Sequence, residues 1–260
     1  MGRFLLRPRW LAGLALVLLV TTSFVRLGWW QLDRLQQRRA YEDLVDARLA
    51  TRPADLRDVL ATNTPEDVTY RRVVAEGTFD PQHEVILYGR TQWGRTGNHV
   101  LTPLLLENGT AVAVDRGWVP LSFDDPPLID AEPPTAPVRV RGVLFPTEAP
   151  GGSGSEAGSE TTFARVDLPA LAAQVPYRLA PVYLLLESQV PGQGELPQAA
   201  PLPDPSRSPP HLSYAIQWFV FAAIAAAGFA ILVRREHRRF RSAGPDPEGV
   251  GAADVHGAAG

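Results

Sequence analysis

The chain has 260 residues, a formal net charge of −3 and no cysteine. This length allows one sizeable domain with accessory segments. The weak negative charge gives no reason to expect a nucleic-acid partner, because nucleic-acid-binding proteins present basic surfaces. The lack of cysteine excludes disulfide bonds, thiolate catalysis and cysteine-ligated metal centres.

The first apolar run, residues 10–25, carries no charge and follows a basic segment, residues 1–9. It is shorter than the roughly 20 residues that a transmembrane helix needs. Continuing through Trp29 and Trp30 supplies the missing length, because tryptophan favours the membrane interface. A cleaved signal peptide has the same basic start and apolar core, but no small-x-small cleavage site follows. We predict an uncleaved transmembrane helix over residues 10–30.

The second apolar run, residues 214–233, also carries no formal charge, and Ser208 and Pro209 suit a helix start before it. We predict a second transmembrane helix over residues 209–233, followed by a basic, disordered tail over 234–260. Arginines flank the outer ends of both runs. The positive-inside rule therefore places both termini in the cytoplasm and residues 31–208 outside it.

The region between the spans changes from a helical to a strand pattern. Residues 31–50 read as a helix that prolongs the first span. Strands are predicted at residues 70–77, 84–88, 100–106, 110–114, 138–145, 161–166 and 182–186. A short helix capped by Asp167 is predicted over residues 168–175. Asn108-Gly109 indicates a hairpin, and Pro103 indicates an edge or a bulge.

These patterns predict an α+β membrane protein. Its two transmembrane helices, in a hairpin topology, flank an outward-facing, mainly antiparallel β domain. Residues 150–160 are rich in glycine and serine and predict a flexible insertion. Residues 190–208 are rich in proline and predict an extended linker that returns to the membrane.

Catalytic and metal-binding patterns are missing from the sequence. The five histidines do not have the spacing of a zinc site, and no nucleophile elbow, P-loop or dinucleotide fingerprint occurs. Asp124 and Asp125 lie in a proline-rich segment, where turn formation explains them. We therefore predict that the protein is not an enzyme.

Two short stretches are candidate sites. In the first, Gly117 would permit a β-bulge and Trp118 would pack on the sheet, or Arg116 and Trp118 would bind a partner. In the second, His211, Tyr214 and Trp218 share one face of a helix that enters the membrane. His211 is either an interfacial histidine within an aromatic belt or an axial ligand to haem iron.

Five short stretches, taken in chain order, resemble the surfeit locus protein 1 family. Residues 27–35, LGWWQLDRL, resemble its L-G-x-W-Q-x-x-R-L motif, and residues 211–219, HLSYAIQWF, resemble its H-L-x-Y-A-x-x-W-F signature. Gly77-Thr78-Phe79, Thr102-Pro103-Leu104 and residues 116–120, RGWVP, are similar to its soluble-domain landmarks. The resemblance covers roughly residues 10–240, although Asp115 stands where many members are expected to have asparagine.

The resemblance implies an assembly factor for haem–copper cytochrome c oxidase, in the bacterial plasma membrane or the mitochondrial inner membrane. It implies transient binding of haem a, with His211 as the axial ligand and Tyr214 and Trp218 as haem contacts. The oxidase catalytic subunit, the haem A synthesis machinery and the bilayer are the implied partners. Candidate partner-binding residues are Gly28, Trp30, Gln31, Arg34, Arg116, Gly117 and Trp118. The N-terminus lacks a transit peptide, which favours a bacterial protein.

Two other functions are open at this stage. The first is a structural scaffold that binds the nascent oxidase without any cofactor. The second is an extracytoplasmic hydrolase, which would need His83 or His99 to meet a carboxylate in a pocket.

Overall fold

The computed structural model describes residues 7–149, 161–202 and 211–242, and for His211 and residues 240–242 only the backbone. The predicted insertion at 150–160 and the end of the predicted tail, residues 243–260, lie outside the described residues. The chain divides into a helical unit, residues 1–40 with 208–260, and a β domain, residues 41–207.

Two long helices dominate the helical unit. Helix α1 spans Pro8–Ala50 without a break, which confirms that residues 31–50 prolong the first apolar run. Its last turns, from Tyr41 on, belong to the β domain. The last helix of the chain spans His211–Ser242 and continues past the predicted end at Val233. Arginine and glutamate are good helix formers, so the loss of apolar residues does not end it.

Within the described residues, these two helices are long and apolar enough to cross a membrane. Their large apolar side chains, such as Leu19 and Ile224, are mostly exposed. Exposed apolar surface of this extent is unfavourable in water and is the surface that lipid tails cover. Both findings indicate a membrane protein.

The β domain contains eight described strands, two further α-helices and two short 3-10 helices, Pro81–His83 and Ile129–Ala131. The strands are β1 (Ala54–Asp55), β2 (Arg72–Phe79), β3 (Val85–Gln92), β4 (Arg95–Leu106), β5 (Thr110–Pro120), β6 (Val138–Pro146), β7 (Thr162–Phe163) and β8 (Arg178–Val190). The two further α-helices are α2 (Leu56–Thr62) and α3 (Leu168–Ala172), which makes the last helix of the chain α4. Asp167 caps α3 as predicted, by accepting a hydrogen bond from the Ala170 amide at 3.1 Å.

The strands form one sheet in the order β1-β2-β6-β8-β5-β4-β3-β7, and β2 also pairs with β4. The second pairing closes β2, β6, β8, β5 and β4 into a ring, which is a five-stranded barrel. The α+β class is confirmed, and five of the eight pairings are antiparallel, as expected for a mainly antiparallel domain, although the sheet as a whole is mixed. β5 pairs with β8 in parallel, as do β1 with β2 and β3 with β7. Parallel neighbours have no tight turn between them, so hairpin signals do not reveal them.

The main core fills the ring. It draws on all five ring strands and on α2, with buried residues that include Leu56, Val73, Leu104, Val114, Val140 and Leu184. Where β2 crosses to β4, a Cβ on Gly77 would lie 2.2 Å from the carbonyl oxygen of Leu105. Ring closure therefore requires glycine at position 77, within one of the family landmarks.

Pro103 and helix α2 also differ from what the sequence led us to expect. Pro103 is neither at an edge nor in a bulge, because it lies inside the sheet where the neighbour of β4 changes. β3 pairs with β4 as far as Leu101, and β2 begins at Leu104, so the missing amide of proline costs little there. Helix α2 was not predicted, although Asp55 caps it by accepting from the Arg57 amide at 2.8 Å.

Candidate functional site

Gly28 on α1 contacts Phe219 on α4 within the helical unit. A Cβ at position 28 would lie 2.8 Å from the Phe219 ring, which is closer than real carbon contacts. The Trp29 ring packs edge-on against the same phenyl ring, with centroids 6.3 Å apart. The motif at residues 27–35 and the motif at residues 211–219 therefore meet in space, and glycine is the residue that allows it.

Aromatic side chains continue this contact along the two helices. Phe24 lies 5.5 Å from Trp218 and 5.8 Å from Phe221 between ring centroids. Further along, Trp10 lies 6.3 Å from Phe229. Positions that rise along α1 meet positions that fall along α4, so the two helices pack antiparallel within this unit.

Small residues line the α4 side of the interface. Ala215 and Ala222 are buried and lie seven residues apart, which places them on one face of the helix. Small side chains allow transmembrane helices to approach closely and to gain van der Waals contact. From the sequence, we interpreted Ala215 and Ala222 as small residues beside a haem site and did not predict that they or Phe219 pack against α1, because one sequence does not show which helix faces the other.

The two predicted haem-contacting residues differ in their exposure. Trp218 is partly buried because it packs on Phe24 and Phe221 of the same unit. Tyr214 is 47% exposed, so its ring is available to a ligand. His211 is the first residue of α4, and its side chain lies outside the described atoms. Its assignment as a haem ligand stays a prediction.

The polar end of the first motif has local partners. The Arg34 guanidinium lies 5.7 Å above the Trp30 ring and donates to the side-chain oxygen of Gln37 at 3.0 Å. The Trp30 side chain is exposed, and Gln31 is partly buried. Arginine above tryptophan is a cation–π contact, which holds the indole in a fixed orientation. Partner binding by Trp30, Gln31 and Arg34 stays a prediction.

Arg116 occupies the centre of a buried polar network in the β domain. Val100 pairs with Gly117 and Leu101 with Asp115, so Arg116 is the extra residue of a β-bulge, as the structural interpretation of this stretch predicted. The side chain is 0% exposed. Its Nη1 donates to Glu84 at 3.0 Å, and its Nη2 donates to the Ala131 carbonyl at 2.7 Å.

Glu84 completes this network. Its Oε2 also accepts from the Thr102 hydroxyl at 2.7 Å, and its Oε1 accepts from the Leu128 amide at 3.2 Å. Burial lowers the pKa of the Arg116 guanidinium, and the charge and hydrogen bond of Glu84 raise it back in part. The pair therefore fixes the loop around residues 128–131 to the barrel. Both Nη atoms of Arg116 donate within the domain rather than at its surface.

Gly117 and Trp118 hold the chain that returns to the second apolar helix. Gly117 has φ 123°, and a Cβ there would lie 2.1 Å from the Gln198 carbonyl oxygen. Trp118 exchanges two backbone hydrogen bonds with Gln198, at 2.7 and 2.8 Å. The Trp118 indole is buried and donates to the Arg90 carbonyl at 3.2 Å. The structure thus gives Arg116, Gly117 and Trp118 architectural contacts, and partner binding by them stays a prediction.

Both soluble-domain histidines meet carboxylates. His83 lies 2.7 Å from Asp80, and His99 lies 2.8 Å from Asp115, between Nδ1 and carboxylate oxygens. Each carboxylate also supports local structure, because Asp80 accepts from Tyr177 and Asp115 accepts from the Gly117 amide. Neither histidine is among the residues that line three of the cavities in the described part of the chain. In those residues no group of three or more acidic, histidine or cysteine side chains could hold a metal ion.

The profile of the SURF1 family matches residues 18–223, which include both motifs that meet at Gly28 and Phe219. The chain belongs to the SURF1 family. This confirms the surfeit locus protein 1 resemblance. An uncharacterized SURF1-like protein of Mycobacterium bovis is 33% identical over 261 aligned positions, covering 94% of this chain and 92% of the relative.

More distant SURF1 relatives occur in bacteria and eukaryotes. A SURF1-like protein of Monosiga brevicollis is 28% identical and covers 85% of this chain and 87% of the relative. One from Rickettsia felis is 30% identical over 106 residues, which cover 40% of this chain and 45% of the relative. These SURF1 relatives agree with a bacterial member of the family.

Replacing Gly28 by leucine should weaken the helix pair. Overpacking of a filled contact costs about 1–3 kcal/mol. Gly228→Leu is the matched control, because a Cβ at that position on α4 meets nothing within 4 Å. Both changes gain similar helix propensity, so thermal unfolding in one detergent isolates the contact. Equal melting temperatures for the two variants would contradict it.

Replacing Glu84 by glutamine should destabilise the β domain by about 3–5 kcal/mol, because it leaves the buried charge of Arg116 unpaired. The control is Glu76→Gln, whose partner Arg139 lies 3.4 Å away with both side chains more than half exposed. An exposed pair contributes at most about 1 kcal/mol. Chemical unfolding that shows the same loss for both variants would disprove the structural role of the network.

Proposed function

We propose that the protein is a membrane-anchored, non-enzymatic assembly factor for haem–copper cytochrome c oxidase, which assists delivery of haem a to the catalytic subunit. Membership of the SURF1 family supports this role. The observation that carries it is the contact between Gly28 and Phe219. It holds together the two family motifs, one of which begins with His211.

Haem a is the proposed transient ligand, with His211 as its axial ligand. A neutral imidazole is a standard ligand of haem iron. The bound haem would be the group that is passed on during oxidase assembly. The half-exposed ring of Tyr214 offers an aromatic surface one turn along the helix. Trp218 contributes through the helix pair, because its ring packs against Phe24. The haem A synthesis machinery is the proposed donor and the oxidase subunit the acceptor.

The proposed site of action is the bacterial plasma membrane, with both termini in the cytoplasm and the β domain outside it. Two observations support this topology. Basic residues flank the outer ends of both apolar helices, as the positive-inside rule requires for cytoplasmic ends. Arg9 on α1 also lies 3.6 Å from Glu236 on α4, which brings the two basic ends together within the helical unit.

A cofactor-free scaffold is the second candidate. Trp29 and Trp30 are both exposed near the end of the apolar part of α1. Exposed tryptophans are frequent anchors at protein interfaces, so this surface suits direct contact with the nascent oxidase. The hydrolase alternative has less support. Its His–carboxylate pairs are present, but neither histidine lines any of the three cavities considered above.

The test uses full-length protein purified in detergent after co-expression with haem A synthesis. We expect a visible haem spectrum that is lost in His211→Ala. His237→Ala is the matched control, because it changes a histidine near the other end of α4 and should leave the spectrum intact.

Oxidase maturation is measured in the same strains. Loss of the spectrum together with reduced maturation in His211→Ala supports haem delivery. A colourless wild-type protein, combined with normal maturation in His211→Ala, would disprove the haem assignment. Failed maturation in a Trp29→Ala and Trp30→Ala double variant would then select the scaffold.

A further inference from the structure

The hairpin that joins β3 and β4 presents an exposed tryptophan at its tip. Gln92 pairs with Arg95, so Trp93 and Gly94 form a two-residue turn. Both have positive φ, 49° for Trp93 and 75° for Gly94. The Trp93 side chain is 66% exposed, although tryptophan has one of the largest apolar surfaces of any side chain.

Tryptophan at the first position of this turn lowers the stability of the folded domain. A turn in which both central residues have positive φ favours Asn-Gly or Asp-Gly. A bulky side chain in the left-handed region is an outlier, and such strain persists mainly at functional positions. Because the Trp93 ring is exposed, packing inside the domain does not offset the backbone strain of the turn. The tip therefore suits an apolar or interfacial environment outside the chain.

The surroundings of Trp93 combine apolar and cationic groups. Leu121 is exposed and follows Pro120, which pairs with Gly97 of the hairpin. Arg95 lies 5.0 Å above the Trp118 ring. No carboxylate among the described residues forms an ion pair with Arg95. Tryptophan beside arginine is the combination found at the headgroup level of membranes, where arginine binds phosphate.

Contacts inside the β domain connect this hairpin to both places where the chain leaves the domain. Gln92, next to Trp93, donates to the Ala199 carbonyl at 3.1 Å. Ala199 belongs to the segment that leads to α4.

At the other exit, a row of aromatic rings starts from α1. Tyr41 packs on Tyr70 at 5.9 Å, Tyr70 on Phe145 at 5.1 Å, and Phe145 on Tyr183 at 5.5 Å. Tyr183 belongs to the same buried core cluster as Val85 and Leu87 of β3, so the row ends near the first strand of the hairpin.

We propose that the Trp93 hairpin is a peripheral membrane anchor that inserts its indole among phospholipid headgroups, with Arg95 on a lipid phosphate. The domain is tethered to the bilayer through α1, whose Tyr41 follows Trp30 by about 16 Å of helix. Such a short tether keeps lipid at high effective concentration, so one aromatic side chain suffices for contact. This anchor does not depend on haem binding.

The test labels full-length protein in vesicles of phosphatidylcholine and phosphatidylglycerol. The chain has no cysteine, so Thr96→Cys beside the tip takes a single environment-sensitive fluorophore. The matched control is Glu107→Cys, at the hairpin between β4 and β5. We expect a doxyl lipid with a shallow nitroxide to quench the label at position 96 at least twofold more strongly than the label at 107.

The variant Trp93→Asn separates binding from folding. We expect it to reduce quenching at position 96 to the level at 107, while the melting temperature stays equal or rises. Equal quenching at both labels, quenching that Trp93→Asn leaves unchanged, or a lower melting temperature would overturn the anchor. Shielding of the label only when the oxidase subunit is present would also overturn it, in favour of a protein partner.

Discussion

The approach of α1 to α4 at Gly28 is the constraint on which the helical unit depends. Apolar side chains gain little from meeting one another in lipid, so close packing must hold the helices together. Gly28 allows this close packing, because the Phe219 ring lies where a Cβ would otherwise be. Ala215 and Ala222 extend the face of small residues. The motifs at residues 27–35 and 211–219 are thus the two halves of one contact.

A different constraint organises the β domain. The bulge at Arg116 directs a guanidinium into the interior, where Glu84 must balance its charge. That pair, with the neighbouring contacts of Trp118, joins the barrel to the loop near Leu128 and to the returning segment at Gln198. Gly77 permits the close approach of β2 to Leu105 of β4, and Gly117 permits the close approach of β5 to Gln198. The stretches that carry the family resemblance in this domain therefore have structural roles.

Local signals predicted the local elements well. Charge-free runs flanked by arginine gave both apolar helices, and Asn108-Gly109 gave the hairpin between β4 and β5. Gly117 indicated the bulge, and Asp167 indicated the start of α3. What depends on distant partners was missed. The parallel pairing of β5 with β8, the Glu84 partner of Arg116 and the Phe219 partner of Gly28 are contacts between segments far apart in the chain. Composition and spacing do not encode such contacts.

The contact between Gly28 and Phe219 is tested most directly by a double-mutant cycle on the full-length protein. Thermal unfolding in one detergent would compare Gly28→Ala, Phe219→Leu and the double variant. Trimming the ring should relieve the added methyl group, so we expect the double variant to lose less stability than the sum of the single losses. The expected coupling is about 0.5–3 kcal/mol. Strictly additive losses would show that the two residues do not touch and would contradict the account.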